Sequence, residues 1–150
     1  MNAHFKIAVT ALCGMLLGMP VAQAGDKFVS TTNLYIELDT SEDGAFRAHP
    51  NELTLKVGEQ YRLEFMNFSQ DQQHVMMAPE FEGAIHTAGI RTLPQRVKLP
   101  GASIGRGIDL PPGARVEIYF QPNKEGRYKL FCDDRAHTVG GMEVAINVRR

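Results

Sequence analysis

The sequence predicts an all-β domain, a sandwich or a barrel, on three observations. Apolar and polar residues alternate in short runs at 34–38, 53–57, 61–65, 116–120, 128–132 and 142–148. Turn residues punctuate the runs, above all Gly58, the Pro111, Pro112 and Gly113 cluster, and the 122–126 segment with Pro122 and Gly126. No internal repeat, coiled coil or low-complexity tract competes with that reading. Period-two alternation puts every second side chain on one face, so each run has an apolar and a wet side.

The runs follow in order. Leu34, Ile36 and Leu38 alternate with Asn33, Tyr35 and Glu37 in a first strand, and the acidic 39–44 stretch reads as a loop. Leu53, Leu55 and Val57 form a second strand, and Tyr61, Leu63 and Phe65 a third. His74 follows the polar loop 69–73. Residues 79–107 lack a clear period and carry Pro79, Pro94 and Pro100, which predicts a loop-rich surface excursion with one short helix. Arg91, Arg96, Lys98 and Arg106 give that excursion an excess of positive charge, read as a solvated loop, with a basic surface for an anionic partner as the sharper alternative. Val116, Ile118 and Phe120 then resume the alternation, followed by the Tyr128 and Met142 runs.

At 150 residues the chain is one domain by length. Residues 1–24 read as a cleaved secretory signal: Lys6 begins it, residues 7–19 are apolar, and Ala22 and Ala24 bracket a small-residue cleavage site. The apolar run is too short to span a bilayer, and nothing later resembles a transmembrane segment. The expected product is residues 25–150, soluble and periplasmic. Cleavage takes Lys6 from the 16 basic residues, leaving 15 against 17 acidic ones. That balance argues against nucleic acid as a partner, because phosphate binding needs a cationic footprint. Cleavage also removes Cys13 and leaves Cys132 alone, so no internal disulfide can form. An unpaired thiol in an oxidising compartment is a liability unless something such as a metal occupies it. The remaining length buries roughly two thirds of its unfolded surface, so a metal is not needed to hold the fold.

The chemistry concentrates near the C-terminus. Cys132, His137 and Met142 stand as C-x4-H-x4-M between two alternating runs, with Gly140 and Gly141 letting the loop fold back. Tyr128, Leu130 and Cys132 share one parity; Met142, Val144, Ile146 and Val148 share another. The spacing therefore delivers a thiolate, an imidazole and a thioether to the core end of two neighbouring strands. Two histidines, a cysteine and a weak axial methionine make the blue-copper donor set, and that set needs one more histidine from upstream. Taken singly, a buried cysteine is a small hydrophobe and a strand methionine is core filler. The conjunction is what points to metal. Zinc fits less well, since structural sites use more cysteines and catalytic ones keep an open position beside a base. A binuclear copper centre needs a second loop cysteine and a trinuclear one needs His-x-His pairs, neither of which occurs here.

Over about residues 50–148 the chain resembles the cupredoxins, the family of plastocyanin, azurin and rusticyanin. The resemblance rests on residues 53–58, 61–67, His74, 112–116 and 126 onward. It implies a Greek-key β-sandwich with one type 1 copper held by His74, Cys132 and His137 and, more weakly, by Met142. A full ligand set leaves no place for a substrate, so the expected function is single-electron carriage between redox protein partners by a monomer that is not an enzyme. The His137 edge would be the electron's exit. Val75 stands where plastocyanin and azurin have an asparagine, and Ala136 where relatives often have proline or glycine. Asp133 and Asp134 read as a solvated loop, with partner steering as the sharper alternative. A second functional class, copper buffering or delivery, draws on Met66, Met76, Met77, His49 and His86. Of these Met76, Met77 and His86 are the candidate secondary copper contacts, with core packing the plainer reading for the methionines.

Overall fold

Alternation becomes strand pairing in the computed structural model, which describes residues 31–40 and 45–150. The expected signal at 1–24 and most of the 39–44 loop lie outside those residues. Ten strands and two short helices are described: β1 (Thr32–Thr40), β2 (Phe46–His49), β3 (Glu52–Lys56), β4 (Tyr61–Asn67), β5 (His74–Met77), α1 (Pro79–Glu82), β6 (Ile85–Thr92), β7 (Ile108–Leu110), β8 (Arg115–Pro122), β9 (Gly126–Cys132), α2 (Arg135–Val139) and β10 (Glu143–Arg149). One sheet runs β2-β1-β4-β8-β6 and the other β3-β10-β9-β5-β7. Both are mixed. β1 lies parallel to β4 and β3 parallel to β10, while the remaining pairs are antiparallel. Among the described residues no helix is long and apolar enough to cross a membrane.

The inner faces follow the sequence parity. Ile36 and Leu38, Leu53 and Leu55, Leu63 and Phe65, Val116 and Ile118, and Val144 and Ile146 are all buried between the sheets. Phe65, Phe81 and Phe120 are among the largest fully buried side chains. Each contributes roughly 1.5–3 kcal/mol of burial free energy. Phe81, on α1, packs edge-on against Phe120 with ring centroids 5.6 Å apart, so the short helix plugs the sandwich from one side.

The expected excursion at 79–107 contains α1, as predicted, and also an eight-residue strand that alternation does not reveal. β6 pairs with β8 along its length, but the register shifts between Thr87 and Gly89. That bulge places Ile85 and Ile90 both in the core although their spacing is odd. A strict period-two search therefore fails at this strand. Residues 93–107 remain mostly turns. The positive charge of the 79–107 excursion is not simply solvated: Arg96 Nε bonds Glu117 Oε1 at 3.0 Å, and Arg91 on β6 lies 4.0 Å from the same oxygen.

Candidate metal centre

Two strands of the second sheet and the loop between β9 and β10 build the site. His74 opens β5 and Cys132 closes β9. Met76 is the register partner of Cys132, so His74, two residues away, shares its face of the sheet. Beyond Cys132 the amide of Asp133 bonds the Val75 carbonyl at 2.8 Å, which carries the pairing one residue further. The chain then turns into α2. Asp134 caps it, its Oδ1 accepting from the amides of Ala136 at 2.7 Å and His137 at 3.4 Å. The Thr138 hydroxyl donates back to the Cys132 carbonyl at 2.5 Å. Gly141, at φ +111°, turns the chain into β10, and a Cβ there would sit 3.3 Å from the Phe46 carbonyl oxygen. The Met142 amide bonds the His137 carbonyl at 3.0 Å, and its carbonyl accepts from Cys132 at 3.2 Å. Every residue of the C-x4-H-x4-M loop that carries a candidate ligand is thus tied by backbone to another.

The result is a buried donor cluster. His74 Nδ1 and His137 Nδ1 stand 3.2 Å apart, and Cys132 Sγ is 3.5 Å from His137 Nδ1. One donor atom from each of the three residues lies within 4.8 Å of the others. Nitrogen and sulfur donors held roughly 2.0–2.3 Å from one d-block ion stand about 3–4 Å apart, so the spacing fits a single metal. The donors suit copper, one soft sulfur and two imidazoles. His74 is 0% exposed, Cys132 1% and His137 7%. Met142 is also fully buried, at the point where its backbone joins both Cys132 and His137.

Protonation favours binding. Burial, followed by the nearby His137, pushes the His74 pKa below its ordinary value despite the opposing charge of Asp134. Its imidazole is therefore neutral near pH 7 and keeps a lone pair for a metal. Backbone hydrogen bonding from Ala136 chiefly, opposed by desolvation and helped by smaller contributions from His137 and His74, holds the Asp134 carboxyl below its usual range. Asp134 is thus an ionised helix cap beside the site, with Oδ2 4.0 Å from His137 Nε2. Asp134→Ala removes the acceptor of two amides. Faster hydrogen exchange at Ala136 and His137 is the expected result, with Asp134→Ser restoring protection; amide exchange followed by NMR checks it.

Of the candidate secondary contacts, Met76 is wholly buried opposite Cys132, and Met77 is half-buried opposite Phe131. His86 is exposed on β6, with Nε2 3.4 Å from Asn123 Nδ2. Among the described residues it belongs to no group of three or more His, Cys, Asp or Glu donors.

Three residues around the site carry no metal-ligand signature in sequence. Phe46 on β2 lies against His137 with ring centroids 3.8 Å apart and 6.5 Å from the His74 ring. Ser69 places its hydroxyl 3.1 Å from His74 Nε2. Asn67 spreads its Nδ2 over the carbonyls of Gln72, Leu110 and Pro111 at 2.9, 2.8 and 3.1 Å. The only sequence signal for them is position, at a strand end or in the loop leading to His74.

Comparison with solved structures brings out copper proteins. The McoA multicopper oxidase from Aquifex aeolicus superposes with a TM-score of 0.60 at 17% identity, covering 82% of this chain and 30% of that one. Auracyanin from Roseiflexus castenholzii, in a dithionite-reduced crystal structure, gives 0.51 at 20% identity, covering 81% of this chain and 99% of that one. The fold is the cupredoxin fold. The Cu-containing nitrite reductase from Thermus scotoductus shares it too, with a TM-score of 0.57 at 15% identity over 78% of this chain and 30% of the reductase. The chain thus spans less than a third of the oxidase and the reductase but nearly the whole of auracyanin. No protein-family model matches the sequence, and no curated protein does.

Proposed function

We propose that this chain is an exported blue copper protein that carries single electrons between redox partners. The observation that carries the reading is the buried His74, Cys132 and His137 cluster at donor spacing for one ion. Those three residues would hold one type 1 copper, with the buried Met142 as a fourth, weaker ligand. Bound there, copper supplies one-electron chemistry by alternating between Cu(I) and Cu(II). The protein's part is to keep the donors still. His74 and Cys132 sit on hydrogen-bonded strands, and the His137 turn is laced to Cys132 and Met142, so either oxidation state meets nearly the same donors.

His137 offers the path out of the core. It retains 7% exposure, and Val139, two residues on, is 80% exposed beside it. The partners are then redox proteins rather than nucleic acid, and the chain acts as a monomer in the periplasm, with residues 1–24 as the export signal. The site's complement of four ligands leaves no position for a substrate, which favours carriage over catalysis.

Titrating purified protein with Cu(II) tests this. One copper per chain, an intense visible thiolate-to-copper band and reversible one-electron reduction are the expected results. Rapid transfer of Cu(I) to an acceptor chelator, with slow electron exchange, would replace carriage by copper delivery. Absence of the band would remove the blue-copper assignment altogether.

A further inference from the structure

We propose that Ser69 is the positioning residue that fixes the tautomer and donor strength of His74. The inference rests on the metal site assigned to His74, Cys132 and His137. It deepens that assignment by naming what holds its upstream histidine.

With His74 Nδ1 turned toward His137, its only other polar ring atom is Nε2. Nε2 lies 3.1 Å from Ser69 Oγ, in a contact where both partners are buried. Ser69 is 5% exposed and His74 0%, so bulk water is a poor competitor for that ring nitrogen. The hydroxyl has a second neighbour, Thr40 Oγ1 at 3.3 Å. If Ser69 donates its proton to Thr40, its lone pairs accept from His74 Nε2–H. That arrangement leaves Nδ1 unprotonated and facing the Cys132 end of the site. A histidine that donates its outer N–H is a stronger and better oriented ligand.

Ser69 is itself held in place. Its amide donates to Asn67 Oδ1 at 2.9 Å, and Asn67 is clamped to the carbonyls of Gln72, Leu110 and Pro111. The 68–73 loop is therefore anchored at its start by a buried asparagine, and it presents one hydroxyl to one ring nitrogen. Val75, on the other side of His74, has no side-chain polar atom for this task. The polar control of His74 comes from upstream, across five residues of loop.

The test compares the wild type with Ser69→Ala and Ser69→Thr. In the metal-free proteins, nitrogen-15 NMR of the histidines reads the tautomer and the exchange of the His74 Nε2 proton. In the copper-loaded proteins, competition with a chelator reads affinity, and voltammetry reads the reduction potential. Ser69→Ala is expected to weaken copper binding by about 10–100-fold, shift the potential and speed exchange of the Nε2 proton. Ser69→Thr, which keeps the hydroxyl, should recover most of each change. The proposal is overturned if Ser69→Ala matches the wild type in the Nε2 signal, in affinity and in potential. Equal losses in Ser69→Ala and Ser69→Thr also overturn it, because packing rather than the hydroxyl would then be responsible. Should the wild type take up no copper, the metal assignment fails by itself. The metal-free NMR comparison then still decides the Ser69–His74 link, an unchanged Nε2 signal in Ser69→Ala counting against it.

Discussion

Cys132→Ser is expected to abolish the intense visible band of the copper-loaded protein and to weaken copper binding by more than about 100-fold, since even an outer-shell partner is worth roughly 10–100-fold. A thiolate is soft, anionic and able to transfer charge to Cu(II), whereas a serine hydroxyl stays protonated near neutral pH and is hard. Both effects therefore come from the exchange of one atom. The fold should survive it. Cys132 is 1% exposed, but its backbone is held by the Met142 carbonyl, and serine is the smaller side chain, so the exchange introduces no clash. Circular dichroism of the metal-free variant should match the wild type while the absorption spectrum does not. Survival of the band in Cys132→Ser would mean that the colour arises elsewhere, and the site would have to be reassigned.

The legible parts of this chain were those governed by local periodicity. Leu53 and Leu55, Leu63 and Phe65, and Val144 and Ile146 alternate without interruption, and the strands formed where they stand. The spacing of Cys132, His137 and Met142 was equally readable, because a single loop carries all three. His74 was harder to place, since nothing local says that β5 will pair with β9. The long-range pairing brings His74 Nδ1 within 3.2 Å of a residue 63 positions away. Two features escaped altogether. The bulge at Thr87 and Gly89 scrambles the parity of β6, and β2 is only four residues long. Phe46 belongs to β2, so its contact with His137 depends on an element too short to show a period.

The outer face of the first sheet carries the second large effect. Glu64 on β4 and Glu117 on β8 are direct register partners, and side-chain exposure is only 2% and 0%. Two carboxylates facing each other across strands are destabilising on their own. Arginines reverse the sign. Arg62 bonds Glu117 Oε2 at 2.6 Å and Glu64 Oε2 at 2.9 Å, Arg96 Nε reaches Glu117 at 3.0 Å, and Arg115 Nε reaches Glu64 at 2.7 Å. Burial works to raise the Glu117 pKa, but the hydrogen bonds and charges of Arg62 and Arg96 outweigh it and the net displacement is downward from 4.5. Glu117→Ala leaves Arg62 without its main partner in a place only 19% exposed. Removing one member of a buried pair costs about 3–5 kcal/mol, a large share of the roughly 5–15 kcal/mol that holds a domain folded. A urea titration at pH 7 should show the loss as a lower midpoint. Because the folded-state pKa is depressed, the carboxylate's contribution is complete above 4.5 and disappears as pH falls through the lower folded value. Glu117→Gln keeps the shape but cannot ionise, so the stability gap between it and the wild type should narrow as the buffer is taken from pH 6 toward pH 3. A gap that stays constant over that range would show that Glu117 acts through packing and not through charge. Copper binding should be the same in both proteins, because Glu117 lies in the sheet opposite the one that carries His74 and Cys132.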